Sequence, residues 1–303
     1  MNTIVADNLS VFVLQLSLYR LVNSDFAIEY PAPIEPDTVL IGGFAVDRRP
    51  APLATDLEEF VASSGDFGVI VMSFGTLTKR FDRRRTEIFA AAFARLPQRV
   101  VWRYHGDVAN LTLPANVRLE RWLPQVSLLA HPHTRLFVSH CGLNGLFEAA
   151  HYGVPILAVP LSGDQFNNAA KVSQRLGMGR TVDIESMTVE SLYDDLTELL
   201  VDKSYRVNAL SVARRLADQP LTPVDKICFW VDYVVRHRGA VHLRSDAAKL
   251  PWYQYLSLDV VIVLVAICIA VVGVIGYVVR QSLRLALRLA LSLACFVCKM
   301  NIE

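Results

Sequence analysis

The sequence predicts an α/β fold: a Rossmann-like parallel sheet followed by one transmembrane helix. Three observations carry this. Two apolar runs rich in β-branched residues, 135–139 and 154–159, each lead into a polar, glycine-containing turn and then a helical pattern. That is the strand–turn–helix repeat of parallel α/β sheets. A further buried-type run, 69–73, ends in Phe74-Gly75-Thr76 and is followed by a helical pattern at 82–96. Residues 260–279 hold no charge and are long enough to cross a bilayer core of about 30 Å.

Bulk properties bound the rest. With 303 residues and 53% hydrophobic content, the chain can build one large or two small cored domains. A net charge of +1 gives no field for nucleic acid, so no nucleic-acid partner is expected. The five cysteines fit no zinc spacing and are too few to frame a chain of this length with disulfides.

In chain order, residues 1–30 read as a stub and linker helix. The run 9–19 is apolar but diluted by Gln15 and two serines, so an amphipathic helix ending near Val22 is expected. It lacks the basic start of a secretory signal. Pro31, Pro33 and Pro36 stiffen the entry to a domain at 31–250. Within it the pattern gives a short strand at 39–44, a helical turn at 57–62 and the strand at 69–73. The helix at 82–96 presents Ile88, Phe89, Ala92 and Phe93 on one face. Arg83-Arg84-Arg85 reads as a solvated face. Strands at 99–104 and 116–119 and a short helix at 124–130 lead to the two βα units.

Asp164 is placed to cap a helix at 165–176. A last strand at 178–184 follows. Thr188 and Ser191 form half a capping box for a helix to about 200, and another helix covers 205–218. Thr222-Pro223 opens the next, which Arg236-His237-Arg238-Gly239 closes.

Trp252, Tyr253 and Tyr255 before the apolar span, and Tyr277 and Arg280 after it, form an aromatic belt with a basic stop. Arg280, Arg284 and Arg288 recur every four residues, so the tail at 280–303 reads as an amphipathic interfacial helix on the cytosolic side. A short second pass is the competing reading. Cys295 and Cys298 are candidate acylation sites. Asn8 and Asn110 begin glycosylation sequons on the opposite side.

The chemistry concentrates at two strand ends. His140-Cys141-Gly142-Leu143-Asn144-Gly145 turns into a helix that carries Glu148. Glycines admit close backbone approach, and a helix start offers free N–H groups and a positive dipole end to phosphate. Glu148 is placed to accept from ribose hydroxyls. The second end, Ser162-Gly163-Asp164-Gln165, offers acceptors and a donor to sugar hydroxyls, with Asp164 also the expected cap.

Trp122, Gln125, His140, Gly142, Asn144, Glu148, Asp164 and Gln165 stand in the order and spacing of the UDP-glycosyltransferase signature. The chain resembles the carboxyl-terminal, nucleotide-sugar-binding half of a membrane-bound UDP-glucuronosyltransferase-type enzyme. The resemblance runs over about 24–279 and includes Ile41-Gly42-Gly43, Ser73-Phe74-Gly75-Thr76, Trp102-Arg103-Tyr104 and Trp252-Tyr253-Gln254-Tyr255.

That resemblance implies one half of a GT-B fold. Trp122 would stack on uracil, Gln125 would bond uracil or ribose, and Glu148 the ribose. Ser73, His140, Gly142 and Asn144 would hold the diphosphate, and Asp164 and Gln165 the donor sugar. The reaction would be an inverting transfer from UDP-glucuronate or UDP-glucose to a small lipophilic acceptor, with no metal and no cofactor beyond the donor. Membrane lipid and a homo- or hetero-oligomer are the other implied partners. The implied location is the endoplasmic reticulum, single-pass, with the domain in the lumen.

No catalytic residue is assigned, because the family's histidine base belongs to the amino-terminal half, and His105, His131, His133 and His151 match no family base position. A non-catalytic, membrane-anchored UDP-sugar-binding subunit is therefore the alternative. Cys141 stands where the family has Gly or Ala.

Overall fold

A computed structural model describes residues 20–75, 82–106 and 113–300. The helix expected at 9–19, both sequons and Thr76 lie outside these residues, as do the side chains of 248, 289–290 and 292–300, Cys295 and Cys298 among them. Two compact units divide at Leu243 and Arg244.

The first unit is built on a parallel sheet of β3 (Val69–Ser73), β4 (Arg99–Arg103), β5 (Val117–Glu120), β6 (Thr134–Ser139), β7 (Ile156–Ala158) and β8 (Gly179–Thr181). Spatial order is β5-β4-β3-β6-β7-β8. The chain builds outward from β3 in one direction and then, from β6, in the other. The switch point between β3 and β6 opens a crevice at the carboxyl ends, where such sheets take ligands. Ser73 and Ser139 pair in register at its floor.

The strands are short because they are buried on both faces and need only enough length to cross the core. Their side chains alternate between two apolar layers. Val69, Val71, Val101, Phe137, Ile156 and Ala158 pack on one side with helices α1 (Thr55–Ala62), α3 (Gln125–Ala130), α4 (Leu143–His151) and α7 (Lys203–Ala217). Ile70, Met72, Val100, Trp102, Leu136, Val138 and Leu157 pack on the other with α2 (Arg83–Ala94) and α6 (Val189–Val201). Phe89 and Phe93 of α2 are fully buried against Trp102, each contributing about 1.5–3 kcal/mol on burial.

Helix starts follow the capping chemistry. Asp82 accepts from Arg85 N. Thr188 and Ser191 close a complete reciprocal box, and Thr222 caps α8 (Pro223–Arg236), which has proline in its first turn. The arginine run is a solvated, ion-paired face as expected: Arg83 meets Glu87 at 2.7 Å, and Arg85 meets Asp82 and Glu185.

Four expectations are corrected. Residues 20–22 are not the end of a helix. They form β1 (Arg20–Val22), parallel to β2 (Thr38–Leu40), and Ile28 is fully buried, so the segment 20–30 belongs to the domain. Pairing with a strand 18 residues on is a tertiary choice that local periodicity does not report. The helix at 165–176 is α5 (Gln165–Ala170) continued by a π-type turn, Lys171–Arg175. Asp164 sits at the cap position but makes no cap hydrogen bond; its carboxylate instead accepts from Asn168. The last strand is three residues, Gly179–Thr181, rather than the whole apolar run.

The second unit contains α9 (Trp252–Tyr255) and one long helix, α10 (Leu258–Met300). The stretch Leu258–Arg288 is long and apolar enough to cross a membrane. The helix runs on through Arg280 without a turn, so no second pass folds back from that point. At 1.5 Å per residue the helix is about 65 Å long, twice a bilayer's apolar core.

Candidate functional site

A cleft of about 820 Å³ opens at the carboxyl ends of β3, β4 and β6 and along the start of α4. Trp122, Gln125, His140, Gly142, Asn144, Glu148 and Gln165 all line it. Six of these seven lie within 27 residues of sequence. The sheet brings the seventh, Gln165, from the next crossover to the same wall.

The turn after β6 is shaped by backbone. Cys141 takes a left-handed conformation, φ 60°, which costs a residue with a Cβ roughly 1–2 kcal/mol. That explains why a glycine suits this position. The strained residue is gripped on both sides. Its N–H donates to Ser139 Oγ at 3.2 Å, and its carbonyl accepts from Asn168 Nδ2 at 3.0 Å.

Gly142 then caps α4 without a side chain, which leaves the first-turn N–H groups without a capping acceptor. The imidazole of His140 lies between two glycines. A Cβ at Gly142 would sit 2.6 Å from Nε2, and one at Gly75 would sit 2.9 Å from the ring. Nothing larger than hydrogen fits on either side.

Burial holds the His140 pKa below the ordinary histidine value, with the Ser73 backbone and the Asp164 charge pulling the other way. The ring is therefore neutral at neutral pH. Its Nδ1 is buried without a hydrogen-bond partner.

Along the opposite wall, Glu148 accepts from Gln125 Nε2 at 2.6 Å. Burial raises the Glu148 pKa, and the Gln125 bond offsets part of that rise. Trp122 is 70% exposed, unusual for the largest apolar side chain in a folded domain. The Arg103 guanidinium lies 4.8 Å from its ring centroid, a cation–π distance. Arg103 lines the cleft, and its Nε has no hydrogen-bond partner.

Arg103 and Gly75, which stand in family-like stretches but carry no assigned role in the sequence, also line the cleft, as does Asp47. The signal for Arg103 was its place at the end of β4, the same kind of position as His140 after β6.

Two expected residues are not on the cleft wall. Ser73 is 1% exposed, and its hydroxyl is buried with no hydrogen-bond partner; it forms the floor beneath the His140 turn. Asp164 is exposed beside the cleft, its carboxylate held by Asn168 Nδ2 at 3.0 Å. Gln165 is used in two directions. Its Oε1 accepts from Leu161 N at 2.8 Å and Ser162 N at 3.1 Å, which leaves the amide NH₂ to face a ligand.

The other histidines are elsewhere. His131 bonds Glu58 and His133 bonds Ser64, at the amino end of β6, and His151 meets Tyr152 edge to face. Among the described residues, the cleft wall carries one histidine, His140, and two carboxylates, Asp47 and Glu148.

Comparison with known proteins fits this geometry. The sequence profile described as UDP-glucoronosyl and UDP-glucosyl transferase matches residues 5–290. UDP-glucuronosyltransferase 2C1 of Oryctolagus cuniculus is 44% identical over 253 residues, 83% of this chain and 49% of that protein. UDP-glucuronosyltransferase 2A3 of Homo sapiens is 40% identical over 82% of this chain and 47% of its own length. The chain thus spans about half the length of the curated relatives it matches.

Among solved structures, the glycotransferase of kitacinnamycin superposes with TM-score 0.54 at 27% identity, covering 66% of this chain and 50% of that one. Os79 from O. sativa, solved in complex with UDP, superposes with TM-score 0.59 at 22% identity, over 70% of this chain and 55% of that one. At that identity the likeness is one of fold.

Proposed function

The chain belongs to the UDP-glucoronosyl and UDP-glucosyl transferase family, and on that premise we propose that its cleft holds a UDP-sugar for transfer to a small lipophilic acceptor. The observation that carries the reading is the convergence of Trp122, Gln125, His140, Gly142, Asn144, Glu148 and Gln165 on one cleft. Its volume is within the range of about 300–1,000 Å³ typical of small-molecule sites.

In this reading uracil stacks on the exposed face of Trp122, whose other face Arg103 supports. Glu148, oriented by Gln125, accepts from the ribose hydroxyls. The diphosphate lies against the bare amino end of α4, with His140 and Asn144 beside it. The Gln165 amide and Asp164 reach the sugar hydroxyls. Ser73 acts from below, by shaping the turn.

The proposed step is a direct displacement. The acceptor oxygen bonds to the anomeric carbon, and the bond from that carbon to the β-phosphate oxygen breaks. UDP departs with the electron pair, and the acceptor's proton passes to a base. The helix start and His140 stabilise the charge that develops on UDP, an electrostatic contribution in place before the reaction begins. The family resemblance implies a base from the amino-terminal half of the GT-B fold, with His140 facing the leaving group and Glu148 the ribose. UDP-glucuronate and UDP-glucose both fit this arrangement. The apolar helix would anchor the domain to the endoplasmic reticulum membrane, facing the lumen.

Titration calorimetry of the full chain in detergent micelles tests the reading. UDP should bind the native chain. Trp122→Ala should weaken binding about 10- to 100-fold, the worth of one base–aromatic stack. Unchanged UDP affinity in that variant would remove uracil from the proposed wall.

A further inference from the structure

Asn168 does not line the cleft. It is 2% exposed, and no sequence motif singled it out. Its amide nevertheless joins the two polar turns. Nδ2 donates to the Cys141 carbonyl at 3.0 Å and to Asp164 Oδ2, also at 3.0 Å. Both donor hydrogens are therefore used, one on each turn. Oδ1 accepts from Lys171 Nζ at 3.3 Å, and Lys171, itself 5% exposed, pairs with Glu29 Oε1 at 2.7 Å.

The helix widens to a π-type turn at Lys171, with Leu176 N reaching back to Lys171 O. Such turns often mark functional helices. Each link has a fixed partner. The carbonyl gripped by Asn168 is that of the strained left-handed residue, and the carboxylate is the one whose charge reaches His140.

From this chain of contacts we infer that Asn168 is a positioning residue. It sets the sugar-binding carboxylate of Asp164 relative to the diphosphate turn at His140–Gly142, and Lys171 and Glu29 lock it from behind. The inference rests on the donor-site reading above. Its physical content is that one buried amide ties Asp164 to the His140 turn and holds the carboxylate in register with it. A carboxylate on an exposed loop samples several rotamers. Tied to Asn168, Asp164 offers one free oxygen in one direction. Loss of the tie affects recognition of the sugar more than recognition of UDP, because the His140 turn keeps its other restraints from Ser139 and the two glycines.

The test is a double-mutant cycle on the full chain in micelles, reading the ratio of the Kd for UDP to the Kd for UDP-glucuronate and for UDP-glucose. Asn168→Ala should lower that ratio about tenfold, the scale of a hydrogen bond to a charged group, and should change the UDP Kd by less than about threefold. In an Asp164→Ala background the same substitution should leave the ratio unchanged, since its effect passes through that carboxylate. Glu29→Gln keeps the side-chain shape and the fold, and should shift the ratio in the same direction by a smaller factor.

Equal losses for UDP and the UDP-sugars would overturn the inference. So would a full additional loss in the Asp164→Ala background, or an unchanged ratio in both Asn168→Ala and Glu29→Gln. A native chain that binds no UDP would instead refute the donor-site reading itself.

Discussion

The two turns at the head of the sheet solve the same problem by opposite means. The turn after β6 is made of backbone: a left-handed Cys141, a glycine on either side of His140, and an uncapped helix start. The turn after β7 is made of side chains: Gln165 folds back onto the N–H groups of Leu161 and Ser162, and Asp164 is steered by Asn168. A backbone surface suits a ligand recognised by charge and close approach, as a diphosphate is. A side-chain surface suits one recognised by the direction of its hydroxyls. The first has little freedom to change without loss of fit. The second can exchange residues and so change what it selects.

The largest expected effect breaks the first turn. Gly142→Ala drives a Cβ to 2.6 Å from His140 Nε2, with Gly75 closing off retreat on the far side. Overpacking of this kind costs about 1–3 kcal/mol, so UDP affinity by calorimetry should fall about 10- to 100-fold, with UDP-sugars falling equally. A selective loss for UDP-sugars alone would refute the division of labour between the turns.

A smaller effect should appear at the second turn. Gln165→Ala removes the free amide and frees the Leu161–Ser162 backbone, which should cost about 1 kcal/mol, or roughly fivefold, in UDP-sugar affinity. UDP alone should bind almost as before.

The smallest effect concerns protons and sharpens the role of His140. Burial lowers its pKa, and a neighbouring diphosphate would raise it. Binding between those two values should therefore take up a fraction of a proton, so UDP affinity should rise as pH falls from neutral toward the lowered His140 value. Calorimetry in buffers of different ionisation enthalpy measures this uptake, and His140→Gln should abolish it. Stability of the fold itself runs the other way. The unfolded chain accepts the His140 proton more readily than the fold does, so this contribution is present above about pH 6.5 and lost as pH falls below it. Glu148, with its raised pKa, has the opposite sign. Its contribution to stability is present at low pH and lost as pH rises through the raised value. In the proposed reading its protonation would also remove a ribose acceptor, setting an acid limit to the gain in affinity.

Much of the sheet was legible because β3, β4 and β6 are buried on both faces and read as continuous apolar runs. The helix caps at Thr188 and Thr222 were legible because capping is decided within four residues. Cleft residues were found where the signature places them at strand ends. The failures share one cause. The strand at 20–22, the floor position of Ser73, the turn of Asp164 toward Asn168 and the aim of Arg103 at Trp122 are all settled by partners distant in sequence or by competition among neighbours. Asp164 shows this most clearly. A cap bond and a bond to Asn168 were both within its reach, and the buried amide won because an unpaired buried donor is the costlier loss.

The cysteine at the strained turn has a consequence for chemistry in the test tube. Its thiol is buried, and burial pushes its pKa up to about 12, so almost none of it is the reactive thiolate at neutral pH. Cys228 is exposed and reacts first. Alkylation at Cys141 therefore waits for the turn to open, and its rate is a covalent clock for the integrity of the pocket. A nucleotide that closes on the turn would slow that clock in proportion to its occupancy.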